Sequence, residues 1–161
     1  MNHYIGIDLG TTNCSVAISR GELVEDKGIF QAVGEDLFES RDQLPSYLYL
    51  VGESERSNFQ NYPFINDLPG VCGLFAKQCS ETQAPRVVRS AKSWISLANH
   101  NSTNKILPFT TQKESNQCLS AVEVQSAYLR QIRLSLNTVF ESSEQVVITV
   151  PASFSEFSRR L

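Results

Sequence analysis

Residues 5–18 are the segment that most constrains what this chain can fold into. Apolar residues alternate with small or polar residues through 5–10, and an apolar run resumes at 16–18 after a polar stretch. This pattern predicts two strands, about 3–9 and 14–20, joined by a tight turn. We expect Gly10 to adopt a positive φ, which would let the chain reverse sharply and bring backbone N–H groups to the tip of the hairpin.

The turn of this hairpin carries side chains that suit phosphate binding. Thr11, Thr12 and Asn13 add short hydrogen-bonding groups to the backbone at Gly10, so the tip could surround phosphate oxygens. Asp8, at the end of the first strand, is placed to orient water on a magnesium ion beside those phosphates. The same residue types also suit an ordinary hairpin turn, so the turn alone leaves both interpretations open.

The sequence Asp-Leu-Gly-Thr-Thr-Asn at 8–13 resembles the first phosphate-binding hairpin of the actin-like ATPases, and most closely that of the Hsp70 chaperones. The resemblance implies ATP or ADP with Mg²⁺ as cofactors. It implies that Asp8 lies beside the metal through water, and that residues 10–13 surround the β- and γ-phosphates. Sugar kinases of the same superfamily carry similar turns, so this motif indicates the superfamily and not the reaction.

A second segment, Arg86–Ile95, narrows the choice. It is predicted to form a helix after Pro85, with one apolar face made by Val88, Ala91, Trp94 and Ile95. Lys92 lies outside that face, and taken alone it is a solvated helix lysine. In Hsp70-like ATPases the corresponding Ala-Lys carries the lysine needed for γ-phosphate hydrolysis. The resemblance therefore implies that Lys92 is catalytic, orienting the attacking water and offsetting negative charge.

The third segment begins with the β-branched run Val146–Val150, which predicts a strand buried on both faces. Pro151 ends the strand because it has no N–H to donate, and Ser155 is a candidate N-cap for a following helix. The order Thr-Val-Pro-Ala-x-Phe before a helix also resembles Hsp70, in which a proline and an arginine relay the nucleotide state to the substrate-binding domain. Pro151 and Arg159 match those positions; a strand terminator and a surface arginine explain them equally well.

The rest of the chain predicts an α/β domain. The spacing indicates a third strand at 23–30, an irregular acidic loop at 31–43, a strand at 43–51 and an aperiodic insertion at 52–70. An amphipathic helix is predicted over 120–140, with Ser120 and Glu123 forming a capping box. By resemblance this order is that of the ribonuclease-H-like (actin-like ATPase) fold, a mixed sheet opened by an antiparallel hairpin and flanked by helices.

The resemblance covers only the beginning of such a domain. Actin-like ATPases have two lobes that close on the nucleotide, and a second phosphate-binding hairpin and an adenosine-contacting Gly-Gly motif are not found in residues 1–161. We therefore expect residues 1–161 to be the first lobe, with the remainder of the ATPase domain and the substrate-binding domain absent. Such a piece should hydrolyse ATP poorly or not at all.

Composition excludes several classes of function. The net charge of −3 and the lack of a large Lys/Arg cluster give no indication of nucleic-acid binding. No apolar stretch reaches ~18 residues, and no secretory signal precedes the first strand, so we expect a cytoplasmic protein that does not enter a membrane. The four cysteines form no C-x-x-C pair, which argues against zinc and favours reduced thiols over disulfides.

Three functions remain possible from the sequence. The first is an ATP-hydrolysing Hsp70-like chaperone, whose partners would be unfolded peptide clients and, by resemblance, J-domain and nucleotide-exchange co-chaperones. The second is a carbohydrate kinase of the same superfamily, which explains the first turn but neither of the later motifs. The third is a non-catalytic, actin-like interaction module that keeps the hairpin without turning over nucleotide.

Overall fold

The computed structural model describes residues 3–96, 103–109, 118–136 and 144–150, together with Phe154, Glu156 and Arg159. Within these residues the strands are β1 (His3–Leu9), β2 (Asn13–Arg20), β3 (Leu23–Asp26), β4 (Ile29–Ala32), β5 (Phe38–Arg41), β6 (Leu44–Pro45), β7 (Tyr47–Leu50), β8 (Gly70–Cys72), β9 (Val87–Arg89) and β10 (Glu144–Thr149). The helices are α1 (Leu74–Thr82), α2 (Ala91–Ser96) and α3 (Ala121–Ser135), and 3₁₀ helices cover Glu53–Phe59 and Ala84–Arg86.

The main sheet is mixed and is opened by the antiparallel hairpin of β1 and β2, so the predicted fold class and the predicted hairpin are both confirmed. Its order is β10-β1-β2-β3, with β6 pairing the beginning of β2 and β10 running parallel to β1. Alternate side chains of the hairpin are buried and form the centre of the core: Ile5, Ile7, Leu9, Cys14, Val16 and Ile18. The period-2 pattern of the sequence therefore reports which face of the hairpin is packed.

The predicted third strand, 23–30, is in fact two strands in different sheets. β3 continues the main sheet beside β2, whereas β4 turns away and pairs with β5. A Cβ on Gly28 would come within 3.0 Å of Ser40 Cβ, so glycine permits the close approach of the chains at this break. The prediction of an irregular loop over 31–43 is wrong as well. The end of β4 and the whole of β5 lie within this segment.

The predicted helix over Arg86–Ile95 is also wrong in its first half. Val87–Arg89 form strand β9, which pairs with β7 in a third sheet of order β8-β7-β9. Helix α2 begins only at Ala91, after Ser90 has taken the left-handed conformation with φ of 57°. Val87 and Val88 are buried as residues of a strand and not of a helix. Their helical spacing from Ala91 is therefore coincidental.

The insertion at 52–70 is a packed element and not an open loop. Its Tyr62 ring is completely buried and lies against Phe30, Phe38 and Phe64, with centroid separations of 6.4, 5.3 and 5.3 Å. Arg56 Nη1 donates to Ile65 O at 2.7 Å, which closes the segment on itself. Aromatic packing therefore orders a stretch that shows no periodicity in the sequence.

Helix α3 confirms the predicted capping box at its beginning. Ser120 N–H donates to Glu123 Oε2 at 2.8 Å, and Glu123 N–H donates to Ser120 Oγ at 3.1 Å. The helix ends at Ser135, earlier than the predicted residue 140; positions 137–140 lie outside the described residues. Its apolar face packs into the core, while Arg130 and Arg133 are exposed to solvent.

Strand β10 lies at the edge of the main sheet, so the prediction that it is buried on both faces is wrong. Val146, Val147 and Ile148 are 45%, 51% and 43% exposed. The β-branched run makes a strand, as predicted, but within the described residues only β1 pairs with it. Its two apolar faces are therefore left partly open to solvent.

Candidate phosphate-binding site

The tip of the β1–β2 hairpin is tight enough to require glycine at position 10. A Cβ on Gly10 would lie 2.0 Å from Asn13 O, a distance at which the backbone would have to move. The expected positive φ is wrong, because the glycines with positive φ in the described chain are Gly21 and Gly73. Gly10 is needed for the close approach of the two strands and not for a left-handed conformation.

The exposed end of the tip is formed by Thr11 and Thr12. Their backbone N–H groups donate none of the hydrogen bonds made among the described residues. These two exposed residues lie beside the half-buried Asn13 at the beginning of β2, with their hydroxyls and backbone N–H groups as candidate donors. This arrangement can donate hydrogen bonds to the oxygens of a phosphate group.

Ser46, which could not be selected from the sequence, holds the tip through two hydrogen bonds to its backbone. Its backbone N–H donates to Thr12 O at 2.9 Å, and its hydroxyl donates to Gly10 O, also at 2.9 Å. The side chain is buried and lies 3.6 Å from Cys14 Sγ. In the sequence, Ser46 is marked only by its position after Pro45, at the junction of β6 and β7. No local pattern indicates that this serine contacts the hairpin.

Asp8 and Thr149 meet at the carboxyl ends of two neighbouring parallel strands. The register of β1 and β10 pairs these residues, and Thr149 Oγ1 donates to Asp8 Oδ1 at 2.7 Å. Both residues are exposed. The carboxyl ends of parallel strands are where open α/β sheets bind ligands, so the Asp8 carboxylate is in a suitable position for a metal-bound nucleotide.

Lys92 is buried, with only 4% of its surface exposed, so the interpretation as a solvated helix lysine is wrong. It lies in the first turn of α2, immediately after the left-handed Ser90 that redirects the chain from β9. Burial lowers the pKa of Lys92, and the negative charge of Asp8 acts in the opposite direction. The ammonium group of this buried residue therefore stands within electrostatic reach of the Asp8 carboxylate.

Phe154 contacts Lys92, and Arg159 contacts Phe154. Lys92 Nζ lies 5.7 Å from the centroid of the buried Phe154 ring, within the range of a cation–π interaction. Arg159 Nε donates to Phe154 O at 3.2 Å, while the arginine itself is exposed. Pro151, the other predicted relay residue, lies outside the described residues.

The donor set at this site fits a magnesium ion that arrives with a nucleotide. Among the described residues there is no group of three His, Cys, Asp or Glu side chains that could hold a metal by itself. A single exposed carboxylate beside threonine hydroxyls matches the preference of Mg²⁺, which keeps several waters and takes its other ligands from phosphates. The four cysteines are free thiols, in agreement with the prediction.

The molecule has a mixed α/β sheet opened by an antiparallel hairpin with a threonine-bearing turn at its tip, an architecture consistent with the actin-like ATPase fold. The chain belongs to the Hsp70 family, since a family model described as Hsp70 protein matches residues 4–161. Hsp70 proteins are ATP-binding chaperones that act with client polypeptides and co-chaperones. The match favours the chaperone over the carbohydrate kinase. In the part of the chain that the structure describes, no helix is long and apolar enough to cross a membrane.

Proposed function

We propose that residues 1–161 are the first lobe of the ATPase domain of an ATP-hydrolysing Hsp70-like chaperone. In this proposal Gly10, Thr11, Thr12 and Asn13 bind the phosphates of ATP or ADP, and Asp8 binds Mg²⁺ through water. The observation that supports it is the convergence of three motifs distant in sequence. Thr149 Oγ1 lies 2.7 Å from Asp8 Oδ1, and the ring of Phe154 lies 5.7 Å from Lys92 Nζ.

Each residue of the site has a distinct task. The backbone N–H groups of Thr11 and Thr12 donate to phosphate oxygens, and the short hairpin held by Ser46 keeps them in place. Bound Mg²⁺ supplies neutralisation of phosphate charge. Lys92 offers a fixed positive charge that orients the attacking water; its burial strengthens that effect because few solvent dipoles screen it. In this proposal the general base and the adenine-contacting residues lie outside residues 1–161.

The remaining parts of the proposal concern the whole chaperone. Arg159 and Pro151 would carry the nucleotide state to a substrate-binding domain, and the Arg159–Phe154–Lys92 contacts supply a physical route for Arg159. The proposed partners of the whole chaperone are unfolded peptide clients together with J-domain and nucleotide-exchange co-chaperones. Its proposed compartment is the cytoplasm. The free thiols at all four cysteines are compatible with a reducing compartment.

The test is a calorimetric titration of Mg-ATP and Mg-ADP into the protein at its natural length, with residues 1–161 as the matched control. Binding by the longer protein and little binding by residues 1–161 is the expected result, since one lobe provides only part of the nucleotide contacts. Absence of binding by both would assign the chain to the non-catalytic interaction module. Tight binding by residues 1–161 alone would contradict the two-lobed assignment.

A further inference from the structure

A groove on the side of the molecule that carries β9 takes no part in the proposed phosphate site. Its volume is about 530 Å³. The described residues that line it are Ala84, Pro85, the segment 87–90 with β9, Trp94 and residues 107–109. None of the hairpin-tip residues 10–13 lines it.

Among the described residues, β9 is an edge strand of the third sheet, on the side away from β7. Tyr47 O accepts a hydrogen bond from Gly73 N–H at 3.0 Å, so the polar backbone groups of Tyr47 point toward β8. Because the backbone N–H and C=O groups of successive residues in a strand point in opposite directions, those of Leu48 point toward its partner Val88. The N–H and C=O of Arg89, a residue that lines the groove, therefore point away from β7. Among the described residues no strand pairs with β9 on that side.

Two aromatic side chains, Trp94 and Phe109, also line the groove. The rings of Trp94 and Phe109 lie 6.0 Å apart and 25° from parallel, and Phe109 is 76% exposed. Large aromatic side chains beside a concave surface are the residues that most often anchor a bound polypeptide. The exposed Phe109 ring beside the half-buried Trp94 is therefore suited to holding an apolar side chain.

Arg89 gives the groove one exposed positive charge, and no aspartate or glutamate lines it among the described residues. Arg86, by contrast, binds Glu55. An occupant that complements this surface needs backbone donors and acceptors for β9, an apolar side chain for the aromatic pair and a carboxylate for Arg89.

We propose that this groove binds an extended, acidic and apolar peptide segment of a partner protein, which adds a strand to β9. Strand addition to an open edge supplies affinity through the main chain, and the side chains on alternate positions supply specificity. Binding needs no nucleotide, so its outcome is distinguishable from that of the calorimetric test.

The experiment uses the protein at its natural length and a fluorescent, end-capped peptide, Val-Glu-Bpa-Glu-Val, in which Bpa is the photoreactive benzoylphenylalanine. Fluorescence anisotropy gives the affinity, and mass spectrometry of the photo-cross-linked product gives the place of binding. Cross-links should fall on Trp94 or residues 107–109. Arg89→Glu should weaken binding about tenfold, as expected for reversing one charge in a contact. The matched variant Arg20→Glu, an exposed arginine of β2, should leave the affinity unchanged.

Two further peptides separate strand addition from general apolar adhesion. N-methylation of the central amides should weaken binding about tenfold, because it removes main-chain donors and leaves the side chains intact. The peptide Val-Lys-Bpa-Lys-Val should bind the Arg89→Glu variant better than the natural protein. No binding at millimolar peptide, equal binding of the N-methylated peptide, or cross-links confined to other parts of the protein would each overturn the proposal. Self-association of the protein through this edge, detected as displacement of the peptide at rising protein concentration, would also overturn it.

Discussion

Lys92, to which the proposed function gives a catalytic role, carries a positive charge on a buried side chain. Only 4% of the residue's surface is exposed, and burial lowers the pKa of Lys92 below its ordinary value of 10.5. The unfolded chain therefore binds the proton more tightly than the folded chain does. Stability should rise with pH in the interval between the lowered pKa and 10.5, and the charge is a cost at neutral pH.

Lys92→Met should therefore stabilise the protein, by about 1 kcal/mol, because it fills the same volume without a buried charge. The melting temperature should increase by about 2–4 °C. Thermal unfolding at pH 7 measures the stabilisation, and a second measurement at pH 9–10 measures its dependence on pH. The increase in stability between the two pH values should be smaller in the variant than in the natural protein. Lys77→Met, at an exposed position of α1, is the control. A destabilised Lys92→Met protein would show that the charge is well compensated.

Lys92→Ala in the protein at its natural length should retain ATP binding and lose turnover by about 10²-fold, the usual scale for removing one electrostatic stabiliser. Steady-state phosphate release and calorimetric ATP affinity measure the two properties separately. Lys77→Ala should change neither of them. Turnover equal to that of the natural protein would remove Lys92 from the mechanism.

Gly10→Ala should weaken ATP binding by about tenfold or more, because the new methyl group would displace Asn13 O and open the tip. Gly6→Ala, in β1 of the same hairpin, is a closely matched control, since its Cβ would lie 3.9 Å from the nearest atom, Ala17 O. Calorimetry with Mg-ADP tests binding alone. Equal affinities of the two variants would contradict a phosphate-binding role for the hairpin tip.

At the scale of elements, an ion pair fastens the 52–70 insertion to the third sheet. Arg86 Nη1 donates to Glu55 Oε1 at 2.7 Å, and Arg86 Nη2 also donates to Leu50 O at 2.9 Å. The guanidinium carbon stands 4.9 Å from the centroid of the Tyr49 ring. The insertion is therefore tied to both β7 and the segment that precedes β9.

Glu55→Gln should destabilise the fold by about 1 kcal/mol at pH 7, as expected for a partly exposed, multiply hydrogen-bonded pair. The hydrogen bond from Arg86 lowers the pKa of Glu55 from its ordinary value of 4.5. The pair therefore contributes its full stabilisation above pH 4.5 and loses it as the pH falls through the lowered pKa. Urea denaturation at pH 7 and at pH 3 measures this, and the variant should lose less stability on acidification. Glu53→Gln, at an exposed position of the same 3₁₀ helix, should behave like the natural protein.

Elements whose signals are local could be predicted from the sequence, and elements defined by distant contacts could not. The β1–β2 hairpin and the capped beginning of α3 each carry their own pattern within a few residues. Strand β9 has only three residues, so a helical period running through them into α2 outweighed its short β-branched pair. The exposure of β10 depends on which elements cover it, and that is not encoded in its own residues.

The same distinction holds for the candidate site. Asp8 and residues 10–13 were found because they lie within one short motif, and Lys92 because of its segment's resemblance to Hsp70. Ser46 and Thr149 were missed, since their hydrogen bonds to Gly10 and Asp8 cross 36 and 141 positions of the chain. The burial of Lys92 was missed as well, because it follows from the turn at Ser90 and the position of Phe154.

At the scale of the whole molecule, the open faces of β10 make a prediction about the longer protein. If residues 1–161 are one lobe of a larger domain, the amides of Glu144–Thr149 should exchange hydrogen more slowly in the protein at its natural length than in residues 1–161 alone. Hydrogen–deuterium exchange with mass spectrometry measures this, and the amides of β2, which is paired on both sides, are the internal control. Equal exchange of β10 in the two proteins would contradict the one-lobe assignment.

The hydrogen bond between Thr149 and Asp8 has a consequence for synthesis on the ribosome. The Asp8 motif is among the first segments to emerge, but its neighbour on β10 is 141 positions later. Closing such a long loop is slow relative to forming a hairpin. A nascent chain therefore displays the motif long before it possesses the completed site, and the order of translation delays when the first nucleotide can be held.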